Sequence, residues 1–150
     1  MIIAQLDQDL KTALLSKDTL KATVIRSLKS AILYAEVAAK KRDEGLSDDE
    51  IITVLQKEAK KRQESAEAYA AAGSKDRAQQ ETEEYEMIKA YLPEQLSEQE
   101  VAVIVDEAIN GFESPGMQQM GQVIGAVRQK TGNRADGALI ARLVKERLTN

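Results

Sequence analysis

Apolar residues recur three or four positions apart along almost the whole chain, and no stretch alternates convincingly between apolar and polar. That spacing fits the 3.6-residue turn of an α-helix and not the two-residue period of a strand. Ile2, Ile3, Leu6, Leu10, Ala13 and Leu14 predict a first helix over about 2–15. Asp18 is placed to cap a second, in which Leu20, Val24, Leu28, Ile32 and Ala35 or Ala39 carry the period to near Arg42, before Gly45. Ser47-Asp48-Asp49-Glu50 is a capping box, in which hydroxyl and carboxylate each satisfy an otherwise unpaired N–H. It opens a third helix through Ile51, Leu55, Ala59, Ala66 and Tyr69 to Gly73. A fourth runs from about Ser74 through Ala78, Tyr85 and Ile88 to Leu92, where Pro93 disfavours helical geometry.

Beyond Pro93 the segments shorten and turn residues separate them. Ser97-Glu98-Gln99-Glu100 is a second capping box, leading into Val101, Ile104, Val105, Ala108 and Ile109, with Gly111 as the stop. Ser114-Pro115 reads as the start of another helix, with Met117, Met120, Ile124 and Val127 inward and Gly132 at its end. The last begins near Asp136 and carries Ile140, Leu143, Val144 and Leu148. The expected fold class is all-α: an N-terminal helical hairpin or bundle over 1–93, then a small three-helix domain over 94–150, with a hinge at the Leu92-Pro93 junction. Aromatics are only 3% and Trp is absent, so the core must come from Ala, Leu, Ile and Val, whose short side chains let helices approach closely.

Cysteine and histidine are both absent. This excludes disulfides, thiolate metal sites, Cys nucleophiles, Ser–His–Asp triads and Glu-x-x-His di-iron centres, and removes the usual neutral-pH proton shuttle. Carboxylate-only or Lys-based chemistry stays open, but no catalytic residue, metal site or cofactor is expected. The N-terminus has no basic start followed by an apolar stretch, and no apolar run nears the roughly 20 residues of a membrane span. The expectation is a cytoplasmic protein without a membrane partner. The net charge of −4 is unevenly spread: residues 116–150 carry +4, which leaves −8 for 1–115. A mildly acidic body thus ends in a basic segment.

Few local features point beyond structure. Glu81-Thr82-Glu83-Glu84-Tyr85-Glu86 lacks the ligand spacing of a calcium loop and reads as a solvated helix face. Tyr34, Tyr69, Tyr85 and Tyr91 sit in helical stripes or at helix ends, away from basic clusters, and read as packing residues. The triplets Lys40-Lys41-Arg42 and Lys60-Lys61-Arg62 have unlike flanks and read as exposed helix ends. Gly121 and Gly125 are different. Two glycines inside one helix cost roughly 1 kcal/mol each relative to Ala, and close approach of another helix or of a ligand backbone would justify them. Arg128, Lys130 and Arg134 then flank Gly132 and the start of the last helix. Such cations can contact phosphates; equally, they suit a helix C-terminus and a solvated turn.

The string Met120-Gly121-Gln122-Val123-Ile124-Gly125, then Gly132-Asn133-Arg134-Ala135-Asp136-Gly137, then Leu139 and Leu143-Val144, resembles the YqeY family and the related C-terminal region of GatB, the B subunit of the aspartyl/glutamyl-tRNA amidotransferase. Residues 23–32, 46–50, 55–58, 61–62, Ala68 to Gly73 and 90–97 agree with the YqeY pattern, which covers essentially the whole chain. The resemblance implies a helical N-terminal domain and a GatB-tail-like C-terminal domain. It makes Met120, Gly121, Gly125, Gly132, Ala135 and Asp136 the family motif. It also makes Arg128, Lys130, Asn133, Arg134, Arg142 and Lys145 candidates for tRNA contact. The implied partners are tRNA and components of the tRNA amidotransferase or a synthetase. The family label is carbon–nitrogen ligase with glutamine as amido-N-donor, although the kinase-like domain of GatB has no counterpart here. The expected function is a tRNA-binding or tRNA-metabolism accessory role. The alternatives are a protein-interaction module, or a ligase component active only with partners.

Overall fold

The computed structural model describes every residue from Met1 to Asn150. The chain is all-helical: α1 (Ile2–Leu15), α2 (Thr19–Ala38), α3 (Asp48–Ala71), α4 (Lys75–Lys89), α5 (Glu98–Asn110), α6 (Met120–Thr131) and α7 (Gly137–Thr149). Single 3-10 turns occupy Met117–Gln119 and Gly132–Arg134. Two compact units are present, Met1–Leu92 and Pro93–Asn150.

In the first unit the aliphatic stripes converge on Leu6, Val24, Ile25, Leu28, Ile32, Ile51, Leu55, Ala59 and Ile88. The ends of its helices are closed by side chains that the sequence places there. Asp18 accepts the Lys21 N–H at 3.1 Å. At Ser47 both halves of the capping box form, at 3.2 Å and 2.8 Å. Asp48, in the first turn of α3, also accepts the Ile2 N–H at 3.2 Å, so one carboxylate satisfies a free donor at the start of α1.

Three helix ends differ from the expected bounds, each for a local reason. α2 stops at Ala38 rather than near Arg42. Lys40 turns left-handed (φ 58°), and the Lys41 and Lys40 N–H groups bond to the Glu36 and Val37 carbonyls at 2.9 and 3.1 Å. This is the double closure usually built on glycine, made here by a lysine. The Lys41 ammonium lies 2.5 Å from Glu50 and helps to hold the strained turn. α4 ends at Lys89, because the Tyr91 and Leu92 N–H groups turn back to Ile88 and Lys89 ahead of Pro93. α6 starts at Met120, not at Ser114-Pro115. Gly116 is extended and donates its N–H to the Gln119 side chain at 2.7 Å, so a 3-10 turn fills the lead-in.

Two surface readings also change. Tyr34 is 79% exposed rather than packed, because two residues beyond buried Ile32 it lies about 200° round the helix. The acidic stretch of α4 is not wholly solvated. Arg62, on α3, donates to the Ser27 hydroxyl on α2 at 3.1 Å and to Glu58 at 3.3 Å. It also pairs with Glu84 of α4 at 3.3 Å. Glu81 faces the same network with its Oε2 buried and unpartnered.

The second unit closes on Val101, Val105, Val123, Val127, Ala135, Ile140, Leu143 and Val144. Ser97 accepts the Glu100 N–H at 3.1 Å, but the Glu100 carboxylate does not return to the Ser97 N–H, so only this half of the second box forms; Glu98, in the same first turn, pairs with Arg142. The Leu96 N–H bonds to the Arg134 carbonyl at 2.7 Å and the Gln95 amide to the Asn133 carbonyl at 3.1 Å. The segment before α5 is thereby stitched to the turn between α6 and α7.

Burial, and then the charge of Glu84, push the Glu81 carboxyl above the ordinary carboxylate range. The folded chain thus holds that proton more tightly than the unfolded chain does. The resulting stability is fully present below the unfolded pKa and is lost as pH rises through the raised folded value. Glu81→Gln is expected to flatten this slope and to raise stability at neutral pH by about 1 kcal/mol. Urea denaturation across mildly acidic to neutral pH checks it, and an unchanged slope would contradict the assignment.

Candidate nucleic-acid interface

α6 has two unlike faces. Val123, Val127 and Thr131 are buried in the second core. Gly121, Gly125 and Arg128, at i, i+4 and i+7, line the opposite side and are exposed. A Cβ built at Gly121 or Gly125 would meet no atom within 4 Å. Close packing inside this unit therefore does not account for either glycine. The row is a strip of bare helical backbone leading to a guanidinium.

The Arg128 guanidinium lies over a gap on the next helix. A Cβ at Gly137, the first residue of α7, would collide with the Arg128 guanidinium, so the missing side chain makes room for it. Gly132 (φ 53°) ends α6 and turns the chain toward α7. The Arg134 guanidinium reaches back to the Lys130 carbonyl at 3.3 Å, over the last turn of α6, where a cation suits the helix dipole. Arg128, Lys130 and Arg134 are thus gathered around one helix end.

The other candidates are placed differently. Arg142 is held between Glu98 at 2.7 Å and Glu146 at 3.0 Å, and these hydrogen bonds raise its pKa further. Its charge is satisfied within the unit. Lys130 has only a loose, exposed partner, Glu107 at 3.7 Å. Lys145 is exposed on α7, without a carboxylate partner. Asn133 contributes its backbone carbonyl to the Gln95 stitch.

Most of the motif residues have structural work. Met120 packs against the second core and Ala135 is buried in it. Asp136 caps α7 by accepting the Ala138 N–H at 3.3 Å. Only Gly121 and Gly125 have no role inside the fold. Gly137 belongs to the motif string, yet the sequence alone gives it no role; its signal is positional, a glycine directly after a capping aspartate. No group of three or more acidic residues is arranged to hold a metal ion. No helix is long and apolar enough to cross a membrane.

A family profile described as "Yqey-like protein" matches residues 3–148, and the chain belongs to the YqeY family. Among curated proteins it is similar to "Altered inheritance of mitochondria protein 41, mitochondrial" of Pyrenophora tritici-repentis, 26% identical over 97% of this chain and 80% of that one. The protein of that name from Kluyveromyces lactis is 32% identical over 86% of this chain and 70% of its own. That from Eremothecium gossypii is 37% identical over 60% of this chain and 48% of its own. These names overturn the cytoplasmic expectation, since they are those of mitochondrial proteins and point to mitochondria instead. Charge and hydropathy do not separate one aqueous compartment from another, so they give no basis for choosing the cytoplasm.

Since nothing in its own unit fills the α6 strip, Gly121→Ala and Gly125→Ala are each expected to stabilise the protein, by about 1 kcal/mol, through helix propensity alone. Chemical denaturation measures this, and a loss of stability in either variant would reveal a packing role.

Proposed function

We propose that this YqeY-family protein binds tRNA as an accessory factor, through the glycine strip of α6 and the cations at its end. The observation that carries the reading is the row Gly121, Gly125 and Arg128 on one exposed helix face. A helix without side chains lets a sugar–phosphate backbone come close, and an arginine without a carboxylate partner can offer a phosphate two parallel hydrogen bonds. Lys130 and Arg134 extend the positive charge around the turn. Attraction is confined to this end, because residues 93–150 as a whole carry eight carboxylates against six cations. The resemblance of this segment to the GatB tail supplies the class of nucleic acid, and makes components of the tRNA amidotransferase or a synthetase the partners to seek. Amide transfer itself is outside this reading.

A protein-interaction role is the second reading. It is favoured by Leu33, Tyr34 and Val37, which α2 exposes side by side at 41%, 79% and 59%. The two readings separate on one measurement. Filter binding to tRNA at low salt should give an affinity that falls steeply as salt rises. Replacing Arg128, Lys130 and Arg134 together by Glu should weaken it at least about tenfold and lower the log–log salt slope by roughly one for each phosphate no longer neutralised. Gly137→Ala, which displaces the Arg128 guanidinium, should weaken binding while the fold survives. Wild-type protein that fails to bind tRNA, or reversal that leaves binding unchanged, leaves the interaction role standing.

A further inference from the structure

A second place in the fold has the character of a ligand site, and it lies in the first unit. A half-open cavity of about 610 Å³ sits among α1, α2 and the end of α4. Its apolar lining comes from Val24, Ile25, Met87 and Ala90. Its polar lining includes an assembled wall: Asp9 accepts the Gln5 amide on one oxygen at 2.8 Å and the Tyr91 hydroxyl on the other. Both oxygens are therefore fixed in place, and the Tyr91 hydroxyl donates to Asp9. Burial and this bond hold the Tyr91 hydroxyl well above the ordinary phenol range, so it stays protonated.

Two further charges line the same cavity, Lys21 in the first turn of α2 and Glu86 in the last turn of α4. Neither side chain has a hydrogen-bonding or ionic partner, and the two are not paired with each other, although ion pairs are plentiful elsewhere in this unit. A cavity of this size with an apolar floor and a few separated polar groups is the usual form of a small-molecule site. Its charges specify what fits. An ammonium group is matched by Glu86 and the fixed Asp9 carboxylate, a carboxylate by Lys21, and an aliphatic body by Val24, Ile25 and Met87.

We propose that this cavity binds a free α-amino acid with an apolar side chain, recognised as a zwitterion. The site is independent of the cations on α6 and of any RNA they hold. An aminoacyl ester or a peptide end presents only one of the two charges, so the requirement for both distinguishes a free amino acid from either.

The experiment is an NMR titration of the full-length protein with three probes: L-leucine, L-leucinamide, which lacks the carboxylate, and N-acetyl-L-leucine, which lacks the ammonium. L-leucine is expected to bind saturably and to shift the resonances of residues around Val24, Met87 and Tyr91. Each derivative should bind about tenfold to a hundredfold more weakly, as should L-leucine to Lys21→Met and to Glu86→Gln. Both positions line the cavity rather than the buried core, and an unchanged far-ultraviolet circular dichroism spectrum checks that the variants are folded. Lys21→Arg, which keeps the cation, should retain binding. Absence of saturable L-leucine binding, equal binding of the amide or the acetyl derivative, or undiminished binding by both charge-removing variants would overturn the assignment.

Discussion

Burial of aliphatic side chains along helix seams holds each unit together, because few rings are available to do it. Fully buried Leu6, Ile25, Leu28, Ile32, Leu55 and Ile88 in one core, and Val101, Val105, Val123, Val127, Ile140 and Val144 in the other, are all of modest size. Such residues fill space only when helices come close, and close helices leave little room for misplaced polar groups. The polar contacts between helices therefore follow from the packing. Arg62 shows how. It reaches α2 through Ser27 and α4 through Glu84, while Glu58 braces it from its own helix. A guanidinium can serve three partners from one position because its donors lie in a rigid fork.

The same economy shapes the chain reversals. α1, α2 and α3 each close with paired bonds from the two residues past the cap, with Lys17, Lys40 and Gly73 in the left-handed position. Only Gly73 advertises this conformation. At the two lysines the bonds formed by the turn, and the burial of the helices it connects, outweigh the backbone strain. α6 meets the opposite condition. It keeps two glycines where nothing in its own unit crowds it, and so carries a local weakness that folding of that unit does not require.

The helices are legible in the sequence because periodicity is a property of consecutive residues, and the stripes through Leu28, Leu55 and Leu143 are all buried. Asp18 and Ser47 are equally legible as caps, since a cap acts within three residues of itself. What escapes depends on partners distant in sequence. Nothing near Glu81 shows that Arg62 will stand opposite it. Nothing near Gly137 shows that Arg128 will fill the space above it. Arg142 counts as a free cation in any tally of charge, until Glu98, forty-four positions away, is folded against it. The cavity at Tyr91 is the extreme case, because Gln5, Asp9, Lys21 and Glu86 share no motif and meet only through three helices.

The bare strip on α6 has a consequence for association. A long side chain that meets a partner must give up its rotamers, commonly about 0.5–1.5 kcal/mol for each one immobilised. Gly121 and Gly125 have none to give up, and the helix already fixes their backbones. Whatever docks along that strip meets a surface whose ordering was completed during folding. The flexibility still to be surrendered lies with Arg128, at one end of the strip.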